Sequence, residues 1–197
     1  ELLVVIAIIA TLAAVVAPLL DRPYALFGHS MGSAVAFALA QVLHAQGCAP
    51  AQCLFASGCQ ARHGTFPNWT MSGLSDARAL EGLQNNYGVL PAEALASPEL
   101  MEMLLPTLRA DFALLDSFPS ALPAPLPLPI VAIGGEHDPW AGAQRLQTWQ
   151  DCTSWPLRVH QLPGGHFYLD DRLDDVLAIV RSECLRHAAA PLMSQQA

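Results

Sequence analysis

Lysine is absent from this chain of 197 residues, and its nine basic residues are all arginines scattered along the sequence. The 17 acidic residues bring the formal net charge to −8. Proteins that bind nucleic acids carry a basic stripe or patch that contacts phosphates, and this chain has neither. We therefore expect no nucleic-acid partner.

Cysteine is scarce and has no paired spacing. The five cysteines are odd in number, and no two of them form a C-x-x-C pair. This pattern excludes the common zinc-site spacings and favours free thiols in a reducing compartment. We predict a cytoplasmic protein with no metal site, and no sequence motif implies an organic cofactor.

Charge is missing from most of the first twenty residues. After Glu1 the segment 1–20 is uncharged, and Thr11 is its only polar side chain. Its length is about that of a membrane-spanning helix. Residues 1–16 resemble the N-terminal hydrophobic helix of type IV pilins. Three interpretations are open, namely a membrane anchor, a buried core helix, and a foreign segment joined to a domain at 21–197. We favour the third, so a membrane contact is expected only through residues 1–20.

The most informative motif is a G-x-S-x-G sequence at Gly28 to Gly32. An apolar run at 24–27 precedes it and predicts a buried strand, while the small and apolar residues after it predict a helix. This context is that of a nucleophile elbow, a strained turn that presents the serine hydroxyl above the sheet. Ser30 is the candidate nucleophile, and the backbone N–H of Met31 is the candidate donor to an oxyanion.

Strand and helix patterns alternate through most of the remaining chain. Apolar runs at 52–57 and 129–133 predict two more buried strands, and the segment 157–162 predicts another strand. The segments 141–152 and 172–187 predict helices. This alternation predicts an α/β fold with a mostly parallel sheet and helices on both faces. Between the second and third strands, residues 75–118 have helical spacing interrupted by prolines, which predicts a lid of short helices. The proline stops are Pro91, Pro98, Pro106 and Pro119.

Two further strand ends carry an acid and a base. Asp138 follows the strand at 129–133, and His166 follows the strand at 157–162. The order serine, aspartate, histidine is that of α/β-hydrolases. In such a triad His166 removes the serine proton, and Asp138 fixes the tautomer of the imidazole and stabilises the imidazolium. The rivals within the chain are Glu136 for the acid, and His29, His137, His160 and Asp170 near the candidate residues.

From about Pro23 onward the chain resembles the type II, external or editing, thioesterases of polyketide and nonribosomal peptide synthesis. The motifs that carry the resemblance are PYALFGHSMG at 23–32, LFASG at 54–58, LPTLRADF at 105–112, PIVAIGGEHDP at 129–139 and PGGHF at 163–167. The resemblance implies an α/β-hydrolase fold with Ser30, Asp138 and His166 as the triad. It also implies hydrolysis of acyl groups from the phosphopantetheine arm of a carrier protein by a monomeric enzyme.

The front of the chain departs from that family. Such enzymes have several strands before the elbow, and a loop after an early strand supplies the second oxyanion N–H. We expect the N-terminal strands to be missing here, which would lower the rate by roughly a hundredfold or more. The alternatives are a general carboxylesterase or lipase of the same fold, and an inactive fragment with a membrane-anchoring N-terminal helix. The loops of Asp138 and His166 argue against an acyltransferase.

Overall fold

The computed structural model describes residues 2–61, 70–87, 97–116 and 124–189. These residues fall into two compact units. The larger comprises Ile8–Ala61 and Leu122–Ala197, and the smaller comprises Glu1–Ala7 and Arg62–Ala121, in so far as those ranges are described.

The larger unit contains a four-stranded parallel sheet with the order β1-β2-β3-β4. Its strands are β1 (Ala25–His29), β2 (Cys53–Ser57), β3 (Ile130–Gly135) and β4 (Arg158–Leu162). All four lie within one or two residues of the predicted runs. Because the strands are parallel, the loops that leave β1, β3 and β4 emerge at the same edge of the sheet.

Helices cover both faces of this sheet. Helix α2 (Met31–Ala45) packs on one face, and α7 (Leu173–Ala189) packs on the other. Successive residues of a strand point to opposite faces, so Leu54 and Ala56 of β2 join the cluster with α2, while Cys53 and Phe55 join the cluster with α7. The central strands β2 and β3 are buried on both sides, which explains their apolar runs. The outer strands β1 and β4 of the described sheet are only partly buried, so the prediction of a buried strand at 24–27 is wrong in its burial. The parallel sheet with helices on both faces confirms the predicted α/β fold.

The segment predicted as one helix at 141–152 is helical in the structure but is divided into two pieces. The structure has a short helix α5 (Ala143–Leu146) followed by a 3-10 helix at Gln147–Cys152. Two side chains of this segment form hydrogen bonds with backbone groups just after the end of β2. Thr148 Oγ1 accepts a hydrogen bond from Ala61 N at 2.9 Å, and Trp149 Nε1 donates one to Cys59 O at 2.8 Å. These tertiary bonds, with the complete burial of Trp149, favour the tighter winding.

The smaller unit contains α3 (Asp76–Tyr87) and α4 (Pro98–Asp116). Its core is a cluster of Met71, Ala79, Leu83 and Met101. The prediction that Pro106 ends a helix is wrong, because Pro106 lies inside α4. Buried or partly buried apolar residues on both sides of Pro106 pack into this unit, and that packing offsets the lost backbone hydrogen bond. The predicted stops at Pro91 and Pro119 lie outside the described residues.

The apolar N-terminal segment forms α1 (Leu2–Val16) and a short 3-10 turn at Ala17–Leu19. Ala13 is fully buried and clusters with Leu39 and Leu43 of α2. Within the described ranges, no helix has both the length and the apolar character needed to cross a membrane. The short helix α6 (Tyr168–Asp171), between β4 and α7, completes the larger unit.

Candidate active site

Ser30 occupies a strained turn between β1 and α2. Its φ is +54°, and it is the one residue other than glycine with positive φ in the described part of the chain. Such a conformation is costly unless the surroundings enforce it. Here the Ser30 N–H donates to Ser57 O at 2.7 Å, which ties the turn to the end of β2.

The glycine before the nucleophile is required by close packing. A Cβ at Gly28 would lie 2.1 Å from the carbonyl oxygen of Gly32, so a larger residue would push the strand and helix apart. Nothing lies within 4 Å of the corresponding position at Gly32. The elbow prediction therefore has a steric basis at Gly28.

The side chain of Ser33 links the elbow to the end of β2 by hydrogen bonds. Its fully buried hydroxyl lies 2.9 Å from Gly28 O and 3.0 Å from Ser57 O, and it accepts a hydrogen bond from Ser57 N at 3.1 Å. The sequence patterns place Ser33 only in a helix and Ser57 only in a strand. A serine in an otherwise apolar helix start was the signal that this role left in the sequence.

Asp138 is buried in the loop after β3. The backbone N–H of Trp140 donates to its Oδ1 at 2.9 Å, so that oxygen is already engaged. The second oxygen, Oδ2, lies 2.9 Å from Nδ1 of His166. One carboxylate thus fixes its own loop and, at the same time, orients the imidazole.

His166 lies in the loop after β4 and is 6% exposed. Its Nε2 lies 2.9 Å from the Oγ of Ser30. Ser30, His166 and Asp138 therefore form a continuous hydrogen-bonded chain, although the residues are 136 and 28 positions apart in sequence. Met31 is the first residue of α2, so its N–H belongs to the positive end of the helix dipole beside Ser30.

The rival residues do not join this chain. Glu136, His137 and Asp170 are exposed, and His160 lies 3.7 Å from the carboxylate of Glu183 on α7. His29 Nδ1 shares a hydrogen bond with Ser57 Oγ at 2.8 Å. The geometry can support proton transfer from a serine hydroxyl to an imidazole held by a buried carboxylate.

Comparison with known proteins places these features in a family. The profile of the thioesterase domain family matches residues 5–184. The chain is 38% identical over 174 residues to the protein named linear gramicidin dehydrogenase LgrE of Brevibacillus parabrevis, covering 87% of this chain. The match covers 66% of that relative, so the chain spans just under two thirds of its length.

Solved structures agree in fold and sequence. The thioesterase RedJ from the prodiginine biosynthetic pathway in Streptomyces coelicolor has a TM-score of 0.78 and 30% identity, covering 89% of this chain and 69% of RedJ. YbtT, described as a type II thioesterase from the yersiniabactin NRPS/PKS biosynthetic pathway, has a TM-score of 0.75 and 31% identity, covering 91% of this chain and 74% of YbtT. The resemblance drawn from the sequence motifs is confirmed. The chain belongs to the thioesterase domain family and has the α/β-hydrolase fold.

Proposed function

We propose that this protein is a serine thioesterase that hydrolyses acyl thioesters from the phosphopantetheine arm of carrier proteins in polyketide or nonribosomal peptide synthesis. The observation that carries the proposal is the hydrogen-bonded chain from Ser30 through His166 to Asp138, with 2.9 Å at each link. This hydrogen-bonded chain begins at Ser30, whose φ is positive. A strained turn of this kind exposes the serine hydroxyl as a nucleophile.

In the proposed reaction Ser30 Oγ attacks the thioester carbonyl carbon while His166 Nε2 takes the hydroxyl proton. The tetrahedral oxyanion lies near the N–H of Met31 at the start of α2. The C–S bond then breaks, and His166 returns the proton to the departing thiolate sulfur. A water molecule, activated by His166, attacks the acyl-serine and releases the carboxylic acid. Throughout, Asp138 stabilises the imidazolium.

The substrate class comes from the relatives. RedJ and YbtT are both described as thioesterases of biosynthetic pathways, and YbtT as type II in an NRPS/PKS pathway. We extend that class to this chain and infer an editing role. We further propose that α3 and α4, which include the adaptable Met101, form the lid predicted at about 75–118.

We also propose that α1 is a packed helix of the hydrolase domain. The family match begins at residue 5, and Ala13 is buried against Leu39 and Leu43. These observations favour the core-helix interpretation of residues 1–20 over a foreign segment. The cytoplasmic location remains a prediction, which rests on the odd number of cysteines and their lack of paired spacing.

The deciding experiment compares hydrolysis of an acyl-phosphopantetheine thioester by the protein and by Ser30→Ala. We expect loss of turnover in Ser30→Ala and full activity in Ser182→Ala, which removes an exposed hydroxyl on α7 that donates to Ile179 O. A matched oxygen ester is the second substrate, and a preference for it would favour the general carboxylesterase. Equal rates in the protein and Ser30→Ala would refute the serine mechanism.

A further inference from the structure

A second group of hydrogen-bonded polar side chains lies next to His166 of the candidate triad. The Oγ of Ser57 is 2.5 Å from the hydroxyl of Tyr168 and 2.8 Å from Nδ1 of His29. Tyr168 is 1% exposed and Ser57 is fully buried. These three residues come from three different elements, namely α6, β2 and β1. Their hydroxyl and imidazole groups thus form a hydrogen-bonded chain that runs from the core to the edge of the active site.

The imidazole of His29 forms one side of the environment of His166. The two ring centroids are 5.2 Å apart, and the ring of Phe167 lies 4.9 Å from His166. His166 therefore lies beside both rings while its nitrogens contact Ser30 and Asp138. A shift of the His29 ring would change the space in which the His166 ring rotates.

The ring of His29 is itself tightly held. A Cβ at Gly58 would lie 2.6 Å from His29 Cε1, so the ring packs directly on the Gly58 backbone, where φ is +66°. Its Nε2 is buried and has no hydrogen-bond partner among the residues that the structure describes. The bond from Nδ1 to Ser57 is thus a polar tether of this ring, and the backbone of His166 also acts on it.

His29 is also suited to remain uncharged beside a histidine that must gain a proton. Burial is the main effect, followed by His166, and together they lower the pKa of His29 to about 4. The carboxylates of Asp138 and Asp170 and the backbone of His166 act in the opposite direction. A neutral ring does not oppose the imidazolium that forms on His166 during catalysis, whereas a cation 5 Å away would.

We propose that Tyr168, Ser57 and His29 form a positioning chain, in which the tethered ring of His29 keeps His166 in the orientation that reaches both Ser30 and Asp138. The three residues touch no reacting atom, so they act through His166. This inference rests on the proposed thioesterase function for its kinetic consequence, but the geometry of the chain does not depend on it.

The kinetic test uses Tyr168→Phe, Ser57→Ala and the double variant in hydrolysis of an acyl-phosphopantetheine thioester. We expect each single variant to lower kcat roughly tenfold with KM within about twofold, because misplacing a proton-transfer group reduces turnover more than binding. Both changes act through one ring, so the double variant should lose no more than the worse single variant. Matched controls are Tyr24→Phe, which removes a hydroxyl that donates to Ala49 O at 2.8 Å, and Ser182→Ala.

The second readout is independent of thioesterase activity. The proton between His166 Nδ1 and Asp138 should give a protected downfield NMR signal, assigned by its loss in Asp138→Asn. We expect this signal to broaden by faster exchange in Ser57→Ala and Tyr168→Phe, and to be unchanged in the two controls.

The two readouts separate the two proposals. If the protein lacks activity while the NMR signal responds, the proposed function fails and the positioning chain stands. If the protein is active and the folded variants keep both kcat and the NMR signal, the positioning chain is refuted. Additive losses of kcat in the double variant would also refute it, since the residues would then act separately. Tyr168→Phe is the milder variant and keeps the test valid if Ser57→Ala does not fold.

Discussion

At the scale of single residues, burial separates two neighbouring carboxylates. Asp138 is 3% exposed and contacts His166, whereas Glu136, two positions earlier, is exposed. A carboxylate that must hold an imidazole has to be fixed, and Asp138 is fixed through the N–H of Trp140. The position of Asp138 directly after a strand favours it in the sequence, and its assignment as the catalytic acid stays a proposal.

We expect Asp138→Asn to lower kcat/KM by roughly 10³- to 10⁴-fold, because an amide can donate to Nδ1 and select the wrong tautomer of His166. The measurement is the steady-state rate on an acyl thioester. Glu136→Gln is the matched control and should stay near the unsubstituted rate. The opposite ranking of the two variants would assign the acid to Glu136.

We predict that removing the Ser33 hydroxyl destabilises the folded protein. Replacing it with alanine leaves the buried groups Gly28 O and Ser57 N without the hydroxyl, at a cost of about 1–3 kcal/mol in the free energy of unfolding. Urea denaturation followed by tryptophan fluorescence measures this loss. Ser182→Ala, on the exposed face of α7, should change stability by less than about 0.5 kcal/mol. If Ser33→Ala and Ser182→Ala changed the free energy of unfolding equally, the elbow would not depend on Ser33.

At the scale of secondary-structure elements, a buried carboxylate joins α7 to β4. Glu183 is 1% exposed, and its oxygens lie 2.8 Å from Arg158 Nε on β4 and 3.4 Å from Arg186 Nε on α7. His160 and His187 lie 3.7 and 3.9 Å away. The attachment of α7 to the last strand of the described sheet therefore includes a specific ionic contact in addition to apolar packing.

We expect Glu183→Gln to reduce the free energy of unfolding by about 3 kcal/mol, the lower end for removing one partner of a buried ion pair, because both arginines are partly exposed. Equilibrium denaturation at neutral pH is the measurement. The control is Asp175→Asn, which removes an exposed partner 3.9 Å from Arg172 and should cost less than about 0.5 kcal/mol. If Glu183→Gln reduced the free energy of unfolding no more than Asp175→Asn does, apolar packing alone would attach α7.

At the scale of the whole molecule, three histidines make stability depend on pH. Burial lowers the pKa of His29 to about 4 and lowers the pKa values of His160 and His187, although the nearby Glu183 acts in the opposite direction on the latter two. Arg158 and Arg186 also lower the pKa values of that pair. In each case the folded state takes up a proton less readily than the unfolded chain does.

Well above pH 6.5, the ordinary pKa of histidine, these side chains are neutral in both states and do not change the free energy of unfolding. As pH falls from 6.5 toward 4, the unfolded chain binds protons that the folded protein does not, so the free energy of unfolding falls. Denaturation series at pH 7.0, 5.5 and 4.5 measure this slope. His29→Asn should flatten it, and His44→Asn, on the exposed surface of α2, should not. An unchanged slope in His29→Asn would contradict the predicted contribution of His29.

The sequence predicted most of the sheet and the candidate triad because those features have local signals. The central strands β2 and β3 are covered on both faces and are apolar runs. The elbow needs glycine at Gly28 for a steric reason that operates within five residues. The loops that carry Asp138 and His166 follow directly from strand ends. Where the determinants lay further away, the predictions were less accurate. The helix stop at Pro106 was wrong, and the helix at 141–152 is a short α-helix followed by a 3-10 helix.

The sequence by itself determined the α/β class, the elbow and the order serine, aspartate, histidine. The tertiary structure decided which buried polar groups support them, because Ser57, His29 and Tyr168 meet only when β1, β2 and the loop after β4 come together. Hydrogen bonds between residues 28 and 111 positions apart leave no periodic trace in a sequence. Distance and burial determine such contacts, and both arise only when the chain has folded.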